Sequence, residues 1–157
     1  MEIVDYNKKY QEKIVKFLED IIVNEFGLDI LEDCIEHKDW NIYLEPKNNL
    51  LLLVDNDEIV GACGVLDVGD NTGKINLFYI KKEFRGKGYG KLLLVKQEFF
   101  IATHFHEVIL CNNSRFNSSS FYRKAGFEPY RYELNGEIWY RKEYKDLDLK
   151  NYNKMWN

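Results

Sequence analysis

The sequence predicts an α/β fold in which a central mixed, largely antiparallel β-sheet carries helices on both faces. Three observations lead there. Residues 50–80 hold three strand-like runs joined by connections too short for crossover helices. Beyond them, Leu92, Val95, Phe99 and Ala102 recur at helical spacing and lead into a further strand, Val108 to Cys111, giving a strand–helix–strand unit. The tail from Tyr130 to Tyr144 alternates about Asn135-Gly136, a type I′ hairpin signal.

The elements follow in order. Residues 2–5 form a short strand. From Lys8 the apolar positions Tyr10, Ile14, Phe17, Leu18, Ile21 and Ile22 step at three and four residues, a helix that Gly27 stops. A second, weaker helix covers Leu31 to His37. Asp39 to Asn49, with Pro46 and two adjacent asparagines, reads as loop. Leu50 to Val54 is a buried strand, Asn56-Asp57 a turn, and Ile59 to Asp67 and Lys74 to Ile80 are the next two strands. A brief helix from Ser118 to Ala125 ends at Gly126, suited to the left-handed position after a helix.

No repeat or linker divides the chain, so its 157 residues are read as one domain, 1–157. With 45% hydrophobic residues and two prolines, it is globular rather than disordered. A net charge of −4 argues against nucleic acid or an anionic membrane as partner. The N-terminus has no signal-peptide core and the longest aliphatic run is too short to span a bilayer, which predicts a cytoplasmic protein. Three scattered cysteines, Cys34, Cys63 and Cys111, suggest neither a disulfide framework nor a zinc site. His37, His104 and His106 lack companions at ligand spacing, so no metal is expected.

The chemistry sits in Ile80 to Lys91, IKKEFRGKGYGK, between a strand and an amphipathic helix. Glycines let the backbone take positive φ and approach a ligand, and the first N–H groups of a helix lack internal acceptors. Phosphate is the natural guest at the positive end of the macrodipole. Lys81, Lys82, Arg85, Lys87 and Lys91 add a basic cluster, better matched to a pyrophosphate than to one carboxylate. A lone G-x-G is usually a solvated turn; here strand, glycines, cations and helix follow in the order a phosphate loop needs. The P-loop pattern is absent, and the dinucleotide fingerprint fails on spacing and on position after a meander.

Arg85-x-x-Gly88-x-Gly90 resembles the Q/R-x-x-G-x-G/A acetyl-CoA signature of the GNAT superfamily of N-acetyltransferases. Downstream, Asn117 to Phe127, NSSSFYRKAGF, is similar to the family's second motif. Asn24 to Asp33, NEFGLDILED, looks like a branch of small bacterial members. The likeness is good from Leu50 to Tyr130 and looser in the N-terminal helices, which form the acceptor side in that superfamily. It implies acetyl-CoA as co-substrate and direct attack by an amine. The main chain of Phe78, Tyr79 and Ile80 would pair with the pantetheine arm where a bulge splays two strands. The amides of Arg85, Gly86, Lys87, Gly88, Tyr89, Gly90 and Lys91 would hold the pyrophosphate. Asn117 would lie near the pantetheine, Tyr122 near the sulfur and Lys124 toward the phosphates.

Tyr122 is then the candidate to protonate the departing thiolate; its plainer reading is a tyrosine closing the core beside Phe121 and Phe127. Relatives often place a glutamate on the strand before the loop, but KINLFYI has no carboxylate. Glu83 lies just past it and points to solvent. Glu25, ending the first helix, is the candidate base, beside a water chain or capture of the neutral amine. The leading function is acetylation of a primary amine on a small molecule, less readily a peptide or protein. The alternative is a non-catalytic acyl-CoA-binding module, which would not need Tyr122; a third reading is a loop that binds nothing. The acidic balance favours a cationic acceptor such as a polyamine or amino sugar. Trp40, Tyr43, Trp139 and Tyr140 read equally as acceptor walls or as core. The C-terminal strands leave room for a homodimer.

Overall fold

The computed structural model describes residues 1–27, 39–114 and 118–144. The helix expected over Leu31 to His37, together with Cys34 and Asn117, lies outside the described residues.

Seven strands form one sheet: β1 (Glu2–Asp5), β2 (Asn49–Asp55), β3 (Glu58–Asp67), β4 (Thr72–Ile80), β5 (Glu107–Asn113), β6 (Glu128–Tyr132) and β7 (Glu137–Glu143). Their order is β1-β2-β3-β4-β5-β7-β6. β1 runs antiparallel to β2, with Ile3 opposite Leu53. The Asn56-Asp57 turn has φ of 48° and 64°, the type I′ geometry that suits a two-residue hairpin. β4 and β5 pair in parallel from Thr72–Glu107 to Lys74–Ile109, as a strand–helix–strand crossover requires. β7 then inserts antiparallel between β5 and β6.

Contacts divide the chain into two compact units, Met1–Gly64 with Leu77–Leu94 and Val65–Asn76 with Val95–Asn157. In the first, a 3-10 turn at Lys8–Tyr10, capped by the Asn7 side chain on Lys9 N at 3.0 Å, leads into α1 (Gln11–Glu19). Ile14, Phe17 and Leu18 are buried on α1, and Leu50 to Val54 along β2. After Glu19 the helix widens into a π-helical turn, Asp20–Glu25, marked by Phe26 N–H donating to Ile21 O at 3.1 Å. Gly27, at φ 64°, stops it as expected. A Cβ on Gly61 would lie 2.8 Å from Ile80 Cδ1 and 3.1 Å from Leu93 Cδ1, so a side chain there would make both of these side chains shift. Residues 39–49 are not plain loop: Trp40–Leu44 form a 3-10 turn, and Trp40 and Tyr43 are buried with Tyr6, ring centroids 5.9–6.3 Å apart.

α2 (Tyr89–His104) corrects one expectation. The stripe Leu92, Val95, Phe99 and Ala102 is not the buried face, since Leu92 and Phe99 are about half exposed (52% and 47%). Leu93, Leu94, Gln97, Glu98 and Ile101 are buried instead. The helix is apolar around most of its circumference, so periodicity alone does not choose a face. A buried ion pair supplies the missing information: Lys142 Nζ donates to Glu98 Oε2 at 2.8 Å, with Glu98 fully enclosed.

In the second unit, α3 (Ser119–Lys124) ends as the Gly126 position foretold. Gly126, at φ 92°, donates N–H to Arg123 O, Phe127 N–H donates to Tyr122 O at 2.9 Å, and the Tyr122 and Phe127 rings meet at 6.1 Å. That is a complete Schellman closure with its hydrophobic contact. The Asn135-Gly136 hairpin is a second correction. Asn135 lacks the positive φ that type I′ demands; Gly136 alone has it, and Gly136 N–H donates to Glu133 O across a four-residue turn. The longer connection lets Asn135 Oδ1 accept from Glu137 N at 3.0 Å, a side-chain turn bond in place of a second left-handed residue.

Candidate functional site

The segment singled out by the sequence lies in the first unit, where β4 runs out. Leu77 has φ 52°, an uncommon value for a branched residue inside a strand, and marks a local break one residue before Phe78–Ile80. The resemblance to the GNAT superfamily implies an irregularity in this strand, whereas the residue type of Leu77 does not signal it. Lys81 N–H donates to Val60 O at 2.8 Å, which ties the strand end to β3. A single 3-10 turn, Lys82–Phe84, follows, and Glu83 is exposed on it, as expected.

Gly86 and Gly88 have φ of 73° and 87°, and a Cβ built on either meets nothing within 4 Å. These glycines are therefore required by backbone shape, not by crowding, and the space beside them is open. α2 begins at Tyr89, and Leu92 N–H donates to Gly88 O at 3.1 Å as the helical ladder starts. By helix geometry the first N–H groups of a helix, here from Gly90, lie ahead of its intrahelical ladder. A sixteen-residue helix thus opens its positive end on a glycine loop with open space beside Gly86 and Gly88. A diphosphate fits these residues.

The five basic side chains of the segment do not act alike. Arg85 is spent within the protein: its Nε donates to Ile80 O at 2.8 Å, its Nη2 to Glu25 Oε2 at 2.8 Å, and its Nη1 to Glu25 Oε1. The Phe26 ring lies 5.8 Å from the guanidinium carbon. Lys81 sits between Asp20 and Glu58 at 4.0 and 3.9 Å. Lys82 and Lys87 are exposed, with Lys87 Nζ 5.9 Å from the Phe84 ring. Glu25, the candidate base, therefore has both carboxylate oxygens on Arg85. Sequence reading named each partner and missed the pair, because sixty positions separate them and no periodicity links a helix end to a loop.

The second unit holds the remaining described candidates. Tyr122 is buried, with ring centroids 5.5 Å from Phe121, 6.1 Å from Phe127 and 5.4 Å from Tyr140. Lys124 is exposed on the last turn of α3. Tyr140, with Trp40 and Tyr43, is core. Trp139 is half-buried between two cations, Lys74 Nζ at 5.1 Å and the Arg131 guanidinium at 4.8 Å. Cys111 donates its thiol to Glu137 Oε2 at 3.6 Å; burial first, then that carboxylate, pushes its pKa up to about 11.

A mixed seven-stranded sheet whose fourth strand leads through a glycine loop into a long helix is an architecture suited to binding a phosphate-bearing ligand. A family model described as an acetyltransferase (GNAT) domain matches residues 10–137. The chain belongs to the GNAT acetyltransferase family, and it is an acyltransferase. Among solved structures, a GNAT-family acetyltransferase from Staphylococcus aureus Mu50 is 25% identical over 92% of this chain and 99% of its own, with a TM-score of 0.76. An acetyltransferase from Streptococcus agalactiae shares the fold at 23% identity, covering 90% and 97%, TM-score 0.77. So does the PaiA N-acetyltransferase of Thermoplasma acidophilum, solved in complex with coenzyme A, at 18% identity, 91% and 98%, TM-score 0.73. No curated protein sequence matches the chain significantly. Among the described residues no helix is long and apolar enough to cross a membrane.

Proposed function

We propose that residues 1–157 form one acetyltransferase domain that moves the acetyl group of acetyl-CoA to a primary amine of a small molecule by direct attack. The open loop carries this reading: Gly86 and Gly88 at positive φ, unobstructed, at the mouth of α2. Acetyl-CoA, when bound, supplies the acetyl group as an activated thioester. The main-chain amides of Gly86 to Lys91 hold the pyrophosphate, and the exposed Lys82 and Lys87 add positive potential around it. The amide of Arg85, expected to join them, instead donates to Lys82 O at 3.2 Å. The main chain of Phe78 to Ile80, beyond the positive φ at Leu77, pairs with the pantetheine arm, and the exposed Lys124 is a further candidate for the cofactor's phosphates. Tyr122 Oη holds the proton that a leaving thiolate needs. With Glu25 committed to Arg85, the amine arrives neutral or gives its proton to water.

The test is a thermal-shift titration with acetyl-CoA, CoA and ATP, on the wild type and on Gly88→Trp. Both CoA species raise the wild-type Tm more than ATP does. A side chain at φ 87° is strained by about 1–2 kcal/mol, so the apo variant melts roughly 2–8 °C lower; its own further shift with CoA disappears. A wild type indifferent to all three ligands refutes the acetyltransferase reading. A CoA shift with no acetyl transfer to any of a broad amine panel favours the non-catalytic acyl-CoA-binding module.

A further inference from the structure

The geometry of the π-helical turn points to a positioning role for the Glu25–Arg85 pair: we propose that it braces the phosphate loop, so that Glu25 governs acetyl-CoA binding through Arg85 and is not the proton acceptor. This inference rests on the function proposed above.

The brace is a chain of contacts across the first unit. Glu25 offers both oxygens to the two terminal nitrogens of Arg85, and the third donor of the same guanidinium closes on Ile80 O at 2.8 Å. A surface ion pair made by one flexible lysine would fix little. A planar fork held by a carboxylate on one edge and a main-chain carbonyl on the other has one orientation. It links residues five positions apart, Ile80 and Arg85, and so draws the strand end and the loop start together. Inside that span Phe84 N–H donates to Lys81 O at 2.8 Å and Arg85 N–H to Lys82 O at 3.2 Å, which leaves little freedom before Gly86. The loop glycines begin at the next residue. Their left-handed φ values have no side chain to hold them, so the fixed segment ahead is what sets where their amides point.

The π-helical turn explains why Glu25 can reach. One extra residue per turn rotates the side chains that follow by roughly 100° relative to a continued α-helix. The turn carries Asp20 at its start and Glu25 at its end, and both face cations of the 80–85 segment: Lys81 Nζ lies 4.0 Å from Asp20, and Arg85 is paired with Glu25. A general base needs a lone pair aimed at its substrate, whereas Glu25 directs both oxygens at the loop's own arginine.

The experiment measures CoA affinity by calorimetry, and hydrogen exchange of residues 81–88 in the ligand-free protein, for the wild type, Glu25→Gln, Arg85→Lys, Arg85→Gln and the Glu25→Gln/Arg85→Gln double variant. Each single change weakens CoA binding about tenfold and speeds exchange in 81–88, while the apo Tm stays within a few degrees. Arg85→Lys does not rescue, because one ammonium cannot serve both the carboxylate and the Ile80 carbonyl. The double variant binds no worse than the poorer single one, since both remove a single unit. Glu25→Gln with CoA affinity within about twofold of wild type overturns the proposal, as do additive losses or full affinity in Arg85→Lys. A wild type that binds no CoA overturns the functional reading and this inference with it; a wild type that binds, alongside variants that bind equally, overturns this inference alone.

Discussion

Tyr122 and Cys111 show how enclosure separates two reactive side-chain types. The Tyr122 ring is held by Phe121, Phe127 and Tyr140, so removing its hydroxyl leaves the packing in place. Tyr122→Phe is expected to lower turnover roughly a hundredfold, the scale of a lost general acid, with little change in CoA affinity. Steady-state kinetics with any accepted amine checks this, and unaltered turnover would remove Tyr122 from proton transfer. Cys111 has the opposite character. With its pKa pushed up to about 11 by burial and by Glu137, the thiol stays protonated near neutrality. Its alkylation at pH 8 should run roughly two orders of magnitude slower than that of an ordinary thiol, and it should speed up with rising pH toward that value. Peptide mapping after timed iodoacetamide treatment reads this directly. Glu137→Gln should accelerate the reaction, because it removes the carboxylate that disfavours the thiolate.

At the scale of elements, the buried pair joining α2 to β7 has the clearest energetic consequence. Lys142 Nζ donates to Glu98 and also to Ala125 O at 2.6 Å, with the Tyr144 ring 5.2 Å away. Its ammonium pKa is lowered, chiefly by desolvation, against the pull of Glu98. Lys142→Met leaves a carboxylate buried without a cation and should cost about 3–5 kcal/mol; Glu98→Leu/Lys142→Met together should recover most of that. Urea unfolding of the two variants compares them, and equal losses would deny the pair its role. The same residues show why the sequence was legible for strands and less so for α2. Leu50 to Val54 is apolar throughout, and a strand buried on both faces can be recognised from that alone. Glu98 and Gln97 look like surface residues until Lys142, forty-four positions later, is known to meet Glu98. The hairpin at Asn135-Gly136 was misread for a related reason: the dipeptide fits two turn types, and the length of the connection decides between them.

For the molecule as a whole, the strands along the chain, the crossover at β4–β5 and the loop glycines were legible because each rests on local chemistry: runs of apolar residues, tight turns, and glycine followed by a helix. The insertion of β7 between β5 and β6 was not, since strand order in a sheet has no local signature. Nor was the Glu25–Arg85 pairing. Ligand linkage is a global property: CoA at a hundred times its dissociation constant should add about 2.7 kcal/mol of stability, or roughly 5–10 °C in Tm for a chain of this size. A smaller rise at that ratio would mean that the unfolded chain also binds CoA or that melting is not two-state.

The division into two units also bears on synthesis. The chain leaves the first unit at Gly64 and returns to it at Leu77, so that unit is sewn from two separate stretches. A nascent chain that has emerged only as far as Gly64 already carries α1 and β2, but not the strand end that gives Arg85 its carbonyl partner, nor Arg85 itself. Glu25 must wait for some sixty further residues before its counter-ion exists. No single cut leaves either unit as one continuous fragment.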